Sequence, residues 1–283
     1  MKNDLYYELA PLPANGPQAP HRSWLLRLYD RPGSRRALVL LGLIAIWHFY
    51  ARWLENPLLV PGPLETFEAL VEGLVKGTLL KRIGTSISLL LMGYACGVGL
   101  GALLTALALT SKLGRELQST LIAMFNPLPA IALLPLAMLW FGLGTTSLLF
   151  VLAHSVTWTF GLNVLTGFDG VSRTLRMVGR NYDLRGMRFV WYILIPAAFP
   201  SLLTGLRVSW AFAWRTLIAA ELVFGVSAGS GGLGWYIYEN KNQLEIPAVF
   251  AGLCAVILIG LAIENLIFRV IEQRTLRVWG MLS

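Results

Sequence analysis

Residues 83–110 read IGTSISLLLMGYACGVGLGALLTALALT, twenty-eight positions without one charged side chain. About twenty apolar residues are enough for a helix across the ~30 Å hydrocarbon core of a bilayer, so this stretch alone predicts a membrane span. Inside it Gly93, Gly97 and Gly101 stand four apart. Glycines at that spacing let helix backbones approach closely, and they speak for packing against a neighbour rather than for a phosphate loop.

Reading outward, the same signature recurs. Residues 37–53 form a first, somewhat short apolar run, closed by Asn56-Pro57 and Val60-Pro61-Gly62-Pro63. It lies too far from Met1 for a secretory signal and lacks a small-residue cleavage site after it, so an uncleaved span is expected. Residues 64–82 are amphipathic, with Leu64, Phe67, Leu70, Val71 and Leu74 at helical spacing and Glu65, Glu68 and Glu72 opposite; a helix lying at the outer surface follows. Further spans are predicted at 120–141 (with Pro127, Pro129 and Pro135), 145–164, 193–224 (broken near its start by Pro196 and Pro200) and 246–267. The expectation is an all-α membrane protein with six transmembrane helices. Its parts are a polar segment 1–36, a first span 37–54, an outer-surface segment 57–82, a five-helix core 83–268 containing a loop 169–192, and a basic tail 269–283.

Composition agrees. The chain has 283 residues, 56% hydrophobic and only 13% charged, where a soluble domain averages about 25% charged; mean hydropathy is +0.63. Disorder, collagen and a disulfide-stapled secreted fold are excluded. Cys96 and Cys254 both sit in apolar stretches and read as small packing residues. The net charge of +8 is scattered in short segments between apolar runs, a topology signal rather than a nucleic-acid face. With the N-terminus inside, inner segments hold 16 Lys and Arg against five in outer ones. That bias predicts both termini on the cytoplasmic side of the membrane.

Two features point to function. The loop Val171–Val190 carries Arg173, Arg176, Arg180, Arg185 and Arg188, interleaved with Leu175, Val178, Tyr182, Leu184 and Met187. Leu175, Val178 and Tyr182 fall at i, i+3 and i+7, one helical face. On spacing alone two readings stay open: a basic loop that fixes topology against lipid headgroups, or a short helix that docks a cytoplasmic partner. The second feature is a set of ionisable residues at membrane depth, which are functional candidates because burying them is costly: Arg207, Arg215, Glu221 and Glu264, with His154 as a weaker fifth. Arg207 and Glu221 would lie on nearly the same side of their helix ~21 Å apart, and Arg215 about 80° round. None of the three can pair with another inside the helix. Arg207 and Glu221 have the plain alternative of snorkelling to opposite interfaces; Arg215, nearest the middle, is the better candidate for lining a pathway or pairing with another span.

The run Leu194-Ile195-Pro196-Ala197-Ala198-Phe199-Pro200, followed by Leu203-Thr204-Gly205-Leu206-Arg207, resembles the end of the EAA signature of ABC importer permeases. Counting back from Pro196, that signature's Glu-Ala-Ala falls on Met177, Val178 and Gly179 and its glycine on Asp183, so the second half matches and the first has drifted. Gly186 stands nearby as a substitute glycine. Pro127-Leu128-Pro129 to Leu139-Trp140-Phe141-Gly142-Leu143-Gly144, Trp214-Arg215 to Ala219-Ala220-Glu221-Leu222, Gly232-Leu233-Gly234-Trp235 and Trp279-Gly280 are similar to the nitrate/sulfonate/taurine branch, and the resemblance runs over residues 57–280.

It implies a type I importer permease fold with a cytoplasmic coupling helix. It also implies partners: a second copy of the chain, two cytoplasmic ATPase subunits and an extracytoplasmic solute-binding protein. Leu175, Met177, Val178, Gly179, Arg180, Tyr182, Asp183 and Gly186 become the ATPase-coupling residues; Arg207, Arg215 and Glu221 are the pathway candidates. No cofactor is expected on this chain, with ATP-Mg held by the partner ATPase. In keeping, the sequence has no Gly-x-x-x-x-Gly-Lys-Ser/Thr, and the outer run Gly229–Gly234 reads as a flexible loop. A catalytic pair, triad or metal constellation is missing too, which disfavours a membrane-embedded enzyme. An ion-gradient-driven secondary transporter is the alternative; the third and fifth spans share prolines without the matched halves that many such folds display.

Overall fold

The structure is a computed structural model that describes residues 32–224 and 231–276. The chain forms two compact units, residues 1–55 and 56–283. Expectations placed on residues 1–31, on Gly229-Ser230 and on Trp279-Gly280 lie outside the described residues. In the first unit α1 spans Pro32–Leu54. At 23 residues it is not short for a bilayer, because Pro32 opens the helix five residues ahead of the apolar run, and a proline is well tolerated in a helix's first turn.

The second unit holds α2 (Pro63–Val75), α3 (Thr78–Ala108), α4 (Lys112–Phe125), α5 (Ala130–Phe141), α6 (Thr145–Asp169), α7 (Arg173–Asn181), α8 (Gly186–Ala197), α9 (Phe199–Phe224), α10 (Leu233–Asn242) and α11 (Ile246–Arg274). Among the described residues four helices are long and apolar enough to cross a membrane, and six spans result when each of two bent pairs counts as one. The α8–α9 pair bends by 76° at Ala198, between the two prolines that announced it. The α4–α5 pair bends by 89° at Asn126–Pro129. Here the third span is not one continuous helix: Pro127 and Pro129 remove backbone donors at alternate positions, and the helix restarts in a new direction.

α6 is the hub. Half of its most apolar window is buried within the chain, against 28% for α3 and 17% for α11, and its main neighbours are α3 and α9. A Cβ built on Gly97 would stand 2.5 Å from Val156 Cβ and 2.8 Å from the Ala153 carbonyl; at Gly93 it would stand 2.6 Å from Leu152 Cβ. The glycine stripe therefore meets α6, and the Thr157 hydroxyl donates across the seam to the Gly97 carbonyl at 3.1 Å. Leu90, Val151, Leu152, Val156, Ala213 and Leu217 fill the core between α3, α6 and α9. A second cluster of Phe160, Val164, Phe168, Val171, Leu194 and Ala198 binds the end of α6 to α8 and the start of α9.

The surface helix α2 turns differently from its apolar pattern. Its buried residues are Thr66 and Gly73, while Leu64, Phe67, Val71 and Leu74 stay exposed. The small side chains let α2 lie flat against α11 and α3; Leu70 packs on the core, and the rest of the apolar stripe faces outward, as an interfacial helix presents itself to lipid.

Gly97→Val should cost about 1–3 kcal/mol by overpacking, read as a lower thermal transition of the solubilised protein. Gly99→Val, whose added Cβ would meet nothing within 4 Å, should leave the transition where it is.

Candidate functional site: a loop helix and a cavity at a broken span

Between α6 and α8 the chain builds a short, tightly held helix. Ser172 opens α7 by accepting a hydrogen bond from the Leu175 N–H at 3.3 Å. At the far end the Asp183 N–H donates to the Arg180 carbonyl at 2.9 Å and the Leu184 N–H to the Gly179 carbonyl at 3.0 Å. That paired closure requires its penultimate residue in the left-handed region, and Asp183 takes φ +53°. This is the position where the permease signature carries glycine. Aspartate is among the few side chains that tolerate the conformation, so the turn survives the substitution. Gly186, with φ +55°, makes a second such turn at the start of α8 rather than replacing the first.

Two anchors fix α7 to the spans. Gly179 is buried, and a Cβ there would lie 2.7 Å from Phe189 Cε2 and 2.9 Å from Ile193 Cγ1, so α7 rests directly on α8. On its other side Arg176 donates through Nε to the Val171 carbonyl at 3.2 Å and through Nη2 to the Phe168 carbonyl. It thereby caps the Phe168 carbonyl in the last turn of α6 and holds the Val171 carbonyl in the link that follows. Burial, with Arg115 and Arg180 close by, pushes its pKa down. Arg115 also pairs with Asp169, tying α4 to the end of α6. The remaining loop candidates point away from the protein: Leu175, Met177, Val178, Arg180 and Tyr182 are all exposed, Tyr182 by 78%. Periodicity located that face. It did not reveal the role of Arg176, which looks like any other basic residue until the α6 carbonyls are seen beside it.

The three ionisable residues of α9 go to three different places. Arg207 forms ion pairs with Glu264 and, at 3.6 Å, Glu272, both on α11. Glu221 is only 3% exposed and is held by two partners. The Ser86 hydroxyl lies 2.8 and 2.9 Å from its two oxygens, and the Gly234 N–H donates to it at 2.8 Å. The Leu233 N–H donates in turn to Ser86 Oγ at 2.8 Å. A carboxylate thus clamps α3, α9 and the start of α10. The glycines there are not loop slack: a Cβ on Gly232 would overlap Glu221 and Ser86, and one on Gly234 would stand 2.6 Å from Glu221 Cβ. The described part of the Gly229–Gly234 run is a packed joint. Arg82 reinforces it by donating to the Gly231 carbonyl at 2.9 Å and pairing with Glu239 at 2.8 Å.

Arg215 goes to neither of those places. It lines a cavity of about 390 Å³ with the broken stretch Asn126–Ala130 on one wall and His154, Trp158 and Phe212 among the others. Its guanidinium sits 4.7 Å from the Phe212 ring centre. Non-helical backbone at membrane depth is tolerated where it is buried in protein or lines a water-filled cavity, and the break between α4 and α5 is such a place.

A bundle of broken spans around a cavity, with an amphipathic helix held rigidly at one loop, can be compared with known families. Residues 97–277 match the family described as the binding-protein-dependent transport system inner membrane component. The chain belongs to that family. It is similar to the taurine transport system permease protein TauC of Escherichia coli K12, with 27% identity over 86% of this chain and 90% of the relative. It is also similar to the nitrate import permease protein NrtB of Synechocystis, with 26% identity over 66% of each. This member of the family is therefore a multi-pass membrane permease subunit of an ABC importer, a class that works with an ATPase and a binding protein.

Glu221→Ala should strand the Ser86 hydroxyl and the Gly234 N–H, costing about 1–3 kcal/mol. A lower melting transition of the purified permease measures it, and a transition at the wild-type temperature would deny the clamp. For the turn, Asp183→Gly should hold or raise the transition, whereas Asp183→Val should lower it by about 1–2 kcal/mol.

Proposed function

We propose that two copies of this permease form the pathway of an ATP-driven importer for a small anion, with α7 gripped by one of two cytoplasmic ATPase subunits. The observation that carries the reading is the mounting of α7. An exposed face of Leu175, Met177, Val178, Arg180 and Tyr182 rides on a helix locked to α6 by Arg176 and to α8 by Gly179. A helix so held cannot yield without moving the two spans it joins. Apolar side chains supply affinity for a groove and arginines orient the helix in it; Gly179, Asp183 and Gly186 shape the loop. ATP is bound with Mg²⁺ and hydrolysed on the partner, this chain being non-catalytic.

The excess of Lys and Arg in alternate loops, 16 against five, supports both termini and α7 on the cytoplasmic side. The surface helix α2 and the Glu221 clamp then face outward, where a solute-binding protein delivers its load. An anion is favoured because the relatives named above carry taurine and nitrate in their names and Arg215 stands in the cavity without a carboxylate partner among the described residues. The organisation follows: a first span at 37–54, an outer segment 57–82, and a core 83–268 with the coupling loop 169–192.

The test combines Arg180→Glu with Tyr182→Ala. Losing an aromatic anchor and reversing a charge should cost at least about 2 kcal/mol of docking, roughly 30-fold in affinity. Permease-stimulated ATP hydrolysis and co-purification of the ATPase should both fall while membrane insertion is unchanged. Stimulation equal to wild type would refute the coupling role.

A further inference from the structure

We propose that the cavity at the break between α4 and α5 is an anion-holding subsite within the membrane, with Arg215 supplying the charge and Trp158 and His154 the neutral donors. The proposal rests on the permease reading and goes beyond it, since it places solute recognition in this chain as well as in a binding protein.

Three observations converge on it. The indole N–H of Trp158 and both ring nitrogens of His154 are buried without a hydrogen-bond partner among the described residues, and both side chains line the cavity. A buried donor left unmet is costly, and the two side chains that carry these nitrogens both line one cavity, so an acceptor that enters it and draws the rings toward it would relieve that cost. Second, the donors are held in place before anything binds. Phe125 stacks on Trp158 at 5.0 Å with 19° between the rings and meets His154 edge-on at 5.8 Å, while Phe212 carries the Arg215 guanidinium. Third, the charge is one-sided: no carboxylate lines the cavity, whereas Arg207, eight residues earlier on the same helix, has two. Pro127 and Pro129 on the facing wall bring no N–H of their own.

One uncompensated guanidinium, two fixed neutral donors and a mostly apolar wall select a small anion with several acceptor oxygens. They reject cations by charge, and neutral isosteres by leaving the guanidinium unpaired. A transported solute must also leave, so the subsite should hold it weakly.

The experiment titrates methanesulfonate into the permease–ATPase complex in lipid nanodiscs by calorimetry, with its neutral isostere dimethyl sulfone in parallel. Saturable binding of methanesulfonate alone is expected. Arg215→Gln should weaken it by at least about tenfold, the loss of one charge-assisted contact. Arg215→Lys should restore most of it. Trp158→Phe, which keeps the ring stacked on Phe125 and deletes only the N–H, should weaken binding by less. Equal affinity in wild type and Arg215→Gln would overturn the proposal, as would equal binding of dimethyl sulfone or no saturable methanesulfonate binding. Co-purification of the ATPase is scored separately. Its absence counts against the permease reading and leaves the titration to be read on the permease alone.

Discussion

Inside a bilayer an apolar side chain gains little by leaving lipid for another helix, so what holds spans together is how closely their backbones can come. In this chain that constraint is met between α3 and α6. Gly93 and Gly97 put bare backbone against Leu152, Ala153 and Val156, and the Thr157 hydroxyl adds a bond across the seam. α9 closes on the other side of α6 through its own small position, Gly205, where a Cβ would stand 2.8 Å from Asn163 Cβ. With α6 fixed between two neighbours, its ends become the reference points for everything functional. One end carries the loop helix; the middle borders the cavity.

A core built that way can accommodate irregularity elsewhere. The bends of 89° and 76° both occur in spans that pack on α6 rather than in α6 itself. Each interrupts a helix where the backbone would otherwise be left without partners in lipid. At Ala198 the gap is covered by the cluster that includes Phe168 and Leu194. At Asn126–Pro129 it borders the cavity instead. One break is packed shut and the other opens on a polar space, and only the second is furnished with hydrogen-bonding side chains that lack partners.

The spans, the glycine stripe and the exposed face of α7 were legible because each is a short-range pattern of 3.6 or four residues in which one residue type has one physical use. What escaped the sequence was set by long-range pairing or by a residue with two uses. Ser86 and Glu221 stand 135 positions apart, and nothing local to either marks the bond. Glycines at 232 and 234 suit slack and close contact equally well, and here they serve contact. On α2 the apolar spacing placed a helix at the surface without showing which side meets the spans; the inner side takes Thr66 and Gly73, because a helix lying against two spans needs small side chains there and lipid accepts the large ones. At Asp183 the glycine of the signature is lost and its left-handed conformation kept, a difference that only φ distinguishes.

The loop shows how sequence drift and mechanical constancy coexist. A lever needs a defined length, a fixed mount and a gripping face, and these make different demands on residue type. The mount is stringent: Gly179 has no room for a Cβ, and Arg176 must reach the Phe168 carbonyl at the end of α6 and the Val171 carbonyl just beyond it. The gripping face is permissive, since any apolar residue at Met177 or Val178 offers similar area to a groove. Drift in the first half of the signature falls on that permissive face at Met177 and Val178 and on the mount at Gly179 and Asp183, where each residue present fits the local demand: no Cβ at the first and a left-handed φ at the second. The stiffness of the connection between α6 and α8 is thus preserved while the surface offered to a partner is free to change. On the coupling role proposed for α7, that separation would let a permease and its ATPase alter their contact together without loosening the linkage between the spans.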